Sequence, residues 1–223
     1  MHSAGLDAVL ARIRAAEAAH GRAPGSVGLL AASKQQSPAT LRATAAAGQR
    51  AFGENYVQEA LPKMAALRDL DLNWHFIGRI QRNKTRDIAV HFDWVHTLDR
   101  LDIARRLSAQ RPAERAPLQV LIEVNVSGET SKGGIAPEAV PAFAAALREL
   151  PGLALRGLMC LPAPEDDFAR QRAAFARLRG LLAELGDPTL DTLSMGTSSD
   201  LEAAIAEGAT LVRVGTAIFG PRA

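Results

Sequence analysis

"TLDTLSMGTSSDLEAAIAEGATLVRVG", residues 189–215, sets two short apolar runs on either side of an alanine-rich stretch. "TLDTLSMG" (189–196) and "TLVRVG" (210–215) read as strands, and "SDLEAAIAEGA" (199–209) has helical spacing. Strand, helix, strand is the βαβ unit, whose crossover makes the two strands parallel. The same alternation runs back through the chain. Strands are expected at "VGLLAAS" (27–33), "RAFGEN" (50–55), "NWHFIG" (73–78), "DWVHTL" (93–98), "LQVLIEVNV" (118–126) and "LALRGLMCL" (153–161). Helices are expected over 38–48, 55–70, 100–111, 137–150 and 167–186. Eight such units close naturally into a TIM-type (β/α)8 barrel, preceded by one extra N-terminal helix. The competing open doubly wound sheet lacks its glycine-rich turn after the first strand.

Length and composition fit this. A chain of 223 residues is of the size at which α/β barrels occur as one domain, so residues 1–223 are expected to form a single unit. The start has no apolar core behind a basic segment, and no run approaches the ~20 apolar residues of a membrane span. A cytoplasmic protein without a membrane partner is expected. One cysteine, Cys160, excludes an internal disulfide and a cysteine-clustered metal site. A net charge of +2 gives no strong nucleic-acid footprint, and a monomer is expected.

In a barrel, functional side chains sit at the C-terminal strand ends and in the loops that follow. Lys34 closes the first expected strand, and it stands out because only Lys34, Lys63, Lys84 and Lys132 among 26 basic residues are lysines. A partly desolvated lysine amine can form a Schiff base with an aldehyde, which arginine cannot. After the seventh strand, Gly196 permits an unusual backbone angle, Ser198 or Ser199 can cap a helix, and Ser199 and Glu202 have capping-box spacing. After the eighth come Gly215 and Thr216. These two loops are where such barrels commonly hold phosphate. A phosphate-bearing aldehyde is pyridoxal 5′-phosphate, so lysine and cup together suggest that cofactor, with Arg213 available to its pyridine nitrogen or to a salt bridge with Glu123.

"AASK", "FGENYVQE", "WHFIGRIQRNK", "VHTLDR", "IEVNVSGETSKGGI", "LRGLMCLPAP" and "LSMGTSSDLEAAIAEGATLVRVGTAIFG" follow one another in order from about residue 27 to residue 220. Together they resemble the pyridoxal phosphate homeostasis proteins, the YggS and PROSC group, which look like the N-terminal barrel of alanine racemase standing alone. The resemblance implies intracellular vitamin B6 homeostasis by carrying or buffering the cofactor, without established turnover, and a small racemase-like enzyme is the alternative. It implies a Schiff base on Lys34, Asn55 near the ring, Arg213 at the pyridine nitrogen, Ser198, Gly215 and Thr216 at the phosphate, and Met195 and Gly196 among the cofactor-binding residues. Apo-forms of enzymes that use the cofactor are the implied partners. Thr197 and Arg79 depart from the family's usual methionine and proline. The racemases resembled here take a second acid/base tyrosine from a further domain. The single tyrosine of this chain, Tyr56, is expected at a helix start instead.

Weaker signals remain. His75, His91 and His96 have no carboxylate at ligand spacing, so no metal is expected. The basic run 79–86 reads as a solvated helix start, and Cys160 as a packed thiol. Lys132, in a glycine-rich loop after the fifth strand, is a candidate accessory site for cofactor entry or exit.

Overall fold

A computed structural model describes residues 2–129 and 133–220. In chain order the elements are α1 (His2–Ala19), β1 (Gly28–Ala32), α2 (Pro38–Ala46), β2 (Ala51–Glu54), α3 (Val57–Ala66), β3 (Asn73–Phe76), α4 (Thr85–His91) and β4 (Trp94–Leu98). They continue with α5 (Leu101–Gln110), β5 (Leu118–Glu123), α6 (Val140–Arg148), β6 (Leu153–Met159), α7 (Phe168–Glu184), β7 (Thr192–Ser194), α8 (Leu201–Ala206), β8 (Leu211–Val214) and α9 (Thr216–Phe219). The eight strands pair in sequence order, all parallel, and β8 pairs back onto β1 to close the barrel. The expected (β/α)8 architecture and all eight expected strands are present.

Most strands are shorter than their apolar runs. β7 covers only three residues of the expected 189–196, because the Asp187 carboxylate takes the Thr189 N–H and hydroxyl and folds that end into a turn. The stretch 137–150 begins as a 3-10 turn at Pro137–Ala139 before α6. The basic run 79–86 leads through a 3-10 turn into α4, a helix that its composition alone did not delimit.

The apolar layer between sheet and helices is continuous, with Phe52, Phe92, Phe175 and Leu41 fully buried. Burying each such side chain is worth roughly 1.5–3 kcal/mol. The additional helix α1 presents Leu6, Val9, Ile13 and Ala16 at helical spacing and packs against α8 and α9. A Cβ at Gly5 would meet the Ile218 carbonyl oxygen at 2.5 Å, so the close approach of α1 to α9 requires glycine there. Glu17, buried on α1, accepts from the Val27 and Gly25 N–H groups and ties the helix to the start of β1. Both ends of the barrel seam are thereby fixed, and α9 begins at a predicted site residue.

Candidate functional site at the barrel mouth

A pocket of about 480 Å³ opens at the C-terminal ends of the strands, a volume suited to a small cofactor. Lys34, Asn55, Ser198, Arg213, Gly215 and Thr216 all line it, so six of the eight residues expected from sequence meet in one cavity. Met195 and Gly196 do not line it. Met195 is fully buried in the apolar layer, and Gly196 turns the chain at φ +93°, where a Cβ would meet Ala204 Cβ at 2.6 Å. Lys132 lies outside the described residues.

Each lining residue is held by its neighbours. Immediately after Lys34 the chain enters a left-handed conformation at Gln35 (φ +63°), a costly one for a non-glycine residue, and the Gln35 N–H donates to Glu59 Oε2 at 3.1 Å. Beneath it, Lys63 Nζ donates to the Ser33 carbonyl at 2.9 Å and to Glu54 Oε1 at 2.8 Å, and Ser33 Oγ donates to the same Glu54 oxygen at 2.6 Å. This buried lysine–carboxylate pair anchors the end of β1. Asn55 is pinned by Gly78, whose Cβ, were there one, would fall 2.1 Å from the Asn55 carbonyl oxygen. Asn55 Oδ1 is buried without a hydrogen-bond partner, an acceptor left for a ligand to fill.

The capping box expected from Ser199 and Glu202 does not form. Asp200 stands at the N-cap of α8, its Oδ1 takes the Thr197 N–H at 2.6 Å, and Glu202 pairs instead with Arg12 of α1. The helix starts one residue later than that spacing assumes, and the Asp200 carboxylate turns back to Thr197 rather than capping α8. Thr197, Ser198 and Ser199 consequently stay at the pocket wall, and the Ala217 N–H donates to Ser198 Oγ at 3.4 Å, joining the β7 and β8 loops.

Arg213 is 8% exposed and points into the barrel. It donates to the Ser194 carbonyl and hydroxyl, both at 2.7 Å, and to the Cys160 carbonyl at 2.9 Å. Among the described residues it makes no ion pair, so the salt bridge to Glu123 considered from sequence is not formed. Burial lowers its pKa from the usual arginine value. Glu123, at the end of β5, lines the same pocket, and desolvation together with the nearby Asp99 charge pushes its carboxyl up to about 7, against the opposing pull of Arg213 and Arg79.

A pH effect follows. Between the ordinary carboxylate value and pH 7 the folded protein retains a proton on Glu123 that the unfolded chain has lost, so stability falls as pH rises through that window and levels off above it. Glu123→Gln is expected to remove this slope and to make the cofactor-free protein more stable than its parent above pH 7, by at most about 3 kcal/mol, as measured by thermal melting from pH 5 to 8.

Sequence reasoning missed the structural roles of three groups near the site. Glu123 was weighed only as a partner for Arg213. Lys63 repeats the burial spacing of Val57 and Ala60 on α3, and the rarity of lysine was a usable signal. His75 and His96, buried inside the barrel, do not form a metal cluster, and the described residues contain none.

A closed parallel barrel thus gathers a lysine, two hydroxyl-bearing loops and a buried arginine that makes no ion pair among the described residues around one mouth. Residues 5–223 match the family described as "Alanine racemase, N-terminal domain". A Pseudomonas aeruginosa protein named pyridoxal phosphate homeostasis protein is 64% identical over 214 residues, covering 96% of this chain and 93% of the relative. One of the same name from Escherichia coli is 51% identical over 216 residues, covering 95% and 92%. PipY of Synechococcus elongatus, solved with pyridoxal phosphate bound, superposes with a TM-score of 0.82 at 40% identity, covering 93% of this chain and all of PipY. The chain belongs to the alanine racemase N-terminal domain family and, within it, to the pyridoxal phosphate homeostasis proteins.

Proposed function

We propose that the chain binds pyridoxal 5′-phosphate in the mouth pocket as a Schiff base on Lys34 and carries or buffers it as a monomer in the cytoplasm. One observation carries this reading. Arg213 is a buried cation on the pocket wall, with no carboxylate bonded to it among the described residues, facing the cavity that also holds Lys34 and the hydroxyl-rich loops. An arginine so placed suits an electron-rich ring edge, because it donates and never accepts. Asn55, with its unfilled acceptor, would bind the ring's flank, and Ser198, Gly215 and Thr216 would hold the phosphate, with Met195 and Gly196 shaping that loop from behind. When bound, the cofactor supplies an exchangeable imine carbon. The protein's residues orient it and leave the mouth open to an incoming amine.

Glu123 favours a second reading, an amino-acid racemase-like enzyme, because a carboxyl poised near neutrality suits proton transfer. Tyr56, at the N-cap of α3 and 56% exposed, borders a neighbouring groove rather than this pocket. The two readings separate in one experiment. Loaded protein is mixed with an apo-enzyme that requires the cofactor, while a parallel sample is incubated with alanine and analysed by chiral chromatography. Recovery of the apo-enzyme's activity without enantiomer interconversion is the expected result. Interconversion abolished by Lys34→Ala would overturn the carrier in favour of the enzyme.

A further inference from the structure

A chain of buried side chains runs from Arg213 away from the pocket. Ser194 Oγ, on β7, accepts from Arg213 at 2.7 Å and lies 2.9 Å from His96 Nδ1 on β4. His96 Nε2 lies 2.8 Å from His75 Nδ1 on β3. β4 and β7 are not neighbours in the barrel, so the Ser194–His96 bond crosses its interior. All four side chains are buried, and His75 stacks on Trp94 with ring centroids 5.4 Å apart.

The donor inventory together with the charge of Arg213 gives this chain a direction. A guanidinium only donates, so Arg213 donates a hydrogen bond to Ser194 Oγ. If His96 Nδ1 accepts the Ser194 hydroxyl proton, every link is satisfied: His96 Nε2–H donates to His75 Nδ1, and the hydrogen ends on His75 Nε2. In the reverse arrangement the Ser194 hydroxyl hydrogen has no acceptor among the described residues. Each arrangement leaves one buried donor unmet, His75 Nε2–H in the first and the Ser194 hydroxyl in the second, so the tally of hydrogen bonds does not discriminate between them. The guanidinium charge does: only in the first arrangement do the O–H and N–H dipoles of the column all point away from Arg213, with their acceptor ends toward the cation.

Resting on the reading of Arg213 as the group that faces the cofactor ring, we propose that Ser194 and His96, backed by His75, are positioning residues. They form a one-way column of neutral acceptors that holds the guanidinium in place for a ring acceptor in the pocket. Glu123 shares the pocket with Arg213 and is its natural competing partner. The column, together with the Ser194 and Cys160 carbonyls, keeps Arg213 turned from that carboxylate. Bonds in such a chain polarise one another, which makes its loss larger than that of one hydroxyl.

The test uses the whole chain and pyridoxal 5′-phosphate as the probe. Ser194→Ala is expected to raise the dissociation constant about tenfold and to shift the visible absorption maximum of the bound cofactor, with Ser194→Thr restoring both. Adding Glu123→Gln to Ser194→Ala is expected to recover part of the lost affinity. Nitrogen-15 spectra of the imidazoles in unaltered, cofactor-free protein are expected to show His75 and His96 neutral and protonated on Nε2. Either imidazole protonated on Nδ1 overturns the proposal, as does a Ser194→Ala protein with unchanged affinity and absorption maximum. Should Ser194→Ala not fold, the imidazole spectra decide alone. They need no cofactor, so failure of the cofactor reading remains distinguishable from failure of the column.

Discussion

Lys34→Arg is expected to abolish the visible absorption band of the cofactor-loaded protein and the covalent adduct trapped by borohydride, a complete loss rather than a graded one. The substitution keeps the positive charge and most of the side-chain length at the pocket wall, so noncovalent attraction for an anionic ligand persists. What disappears is the amine nucleophile, since a guanidinium remains protonated at any accessible pH. Mass spectrometry of the reduced, digested protein is expected to find the adduct on the Lys34 peptide in the parent and nowhere in the variant. A band of unchanged intensity in Lys34→Arg would move the attachment to another lysine.

Lys63→Met is expected to destabilise the fold by about 3–5 kcal/mol, the usual consequence of removing one partner from a buried ion pair. Glu54 is fully buried and its second carboxylate oxygen already lacks a partner, so without Lys63 its charge rests on Ser33 Oγ alone. Burial already raises the Glu54 pKa above its ordinary value. In the variant the carboxyl takes up a proton more readily still, so the deficit is expected to be smaller at pH 5 than at pH 8. Urea unfolding at both values checks the sign. The double variant Lys63→Met, Glu54→Gln is expected to recover much of the loss. Because Lys63 also binds the Ser33 carbonyl, the single variant loosens the strand end that carries Lys34.

The architecture was legible because a parallel barrel writes itself locally: each strand is a short apolar run, and each crossover is a helix with its own period. The pocket-lining residues were legible where they stand at or just past strand ends, as Lys34, Arg213 and Thr216 do. Two kinds of information were not. Contacts across the barrel leave no periodic trace, and Ser194 and His96 are 98 positions apart with no local pattern joining them. Competition among neighbouring carboxylates was equally hidden. Ser199 and Glu202 had the right spacing for a capping box, yet the helix starts after Asp200, whose carboxylate turns back to Thr197, and Glu202 pairs with Arg12. Glu123 entered only as an alternative partner for Arg213, whereas it stands in the pocket with its own carboxyl pushed up by burial.

The closure of β8 onto β1 also sets a timetable. Lys34 leaves the ribosome roughly 180 residues before Arg213 and the β8 loop, which at about 5–20 residues per second means about 10–40 s of synthesis with the amine present and its pocket unmade. Cofactor capture on Lys34, as proposed, would therefore belong to the finished barrel. Because the ligand would bind only the closed form, its concentration feeds directly into the yield of folded protein, and a cell short of the vitamin would hold less of the very protein that stores it.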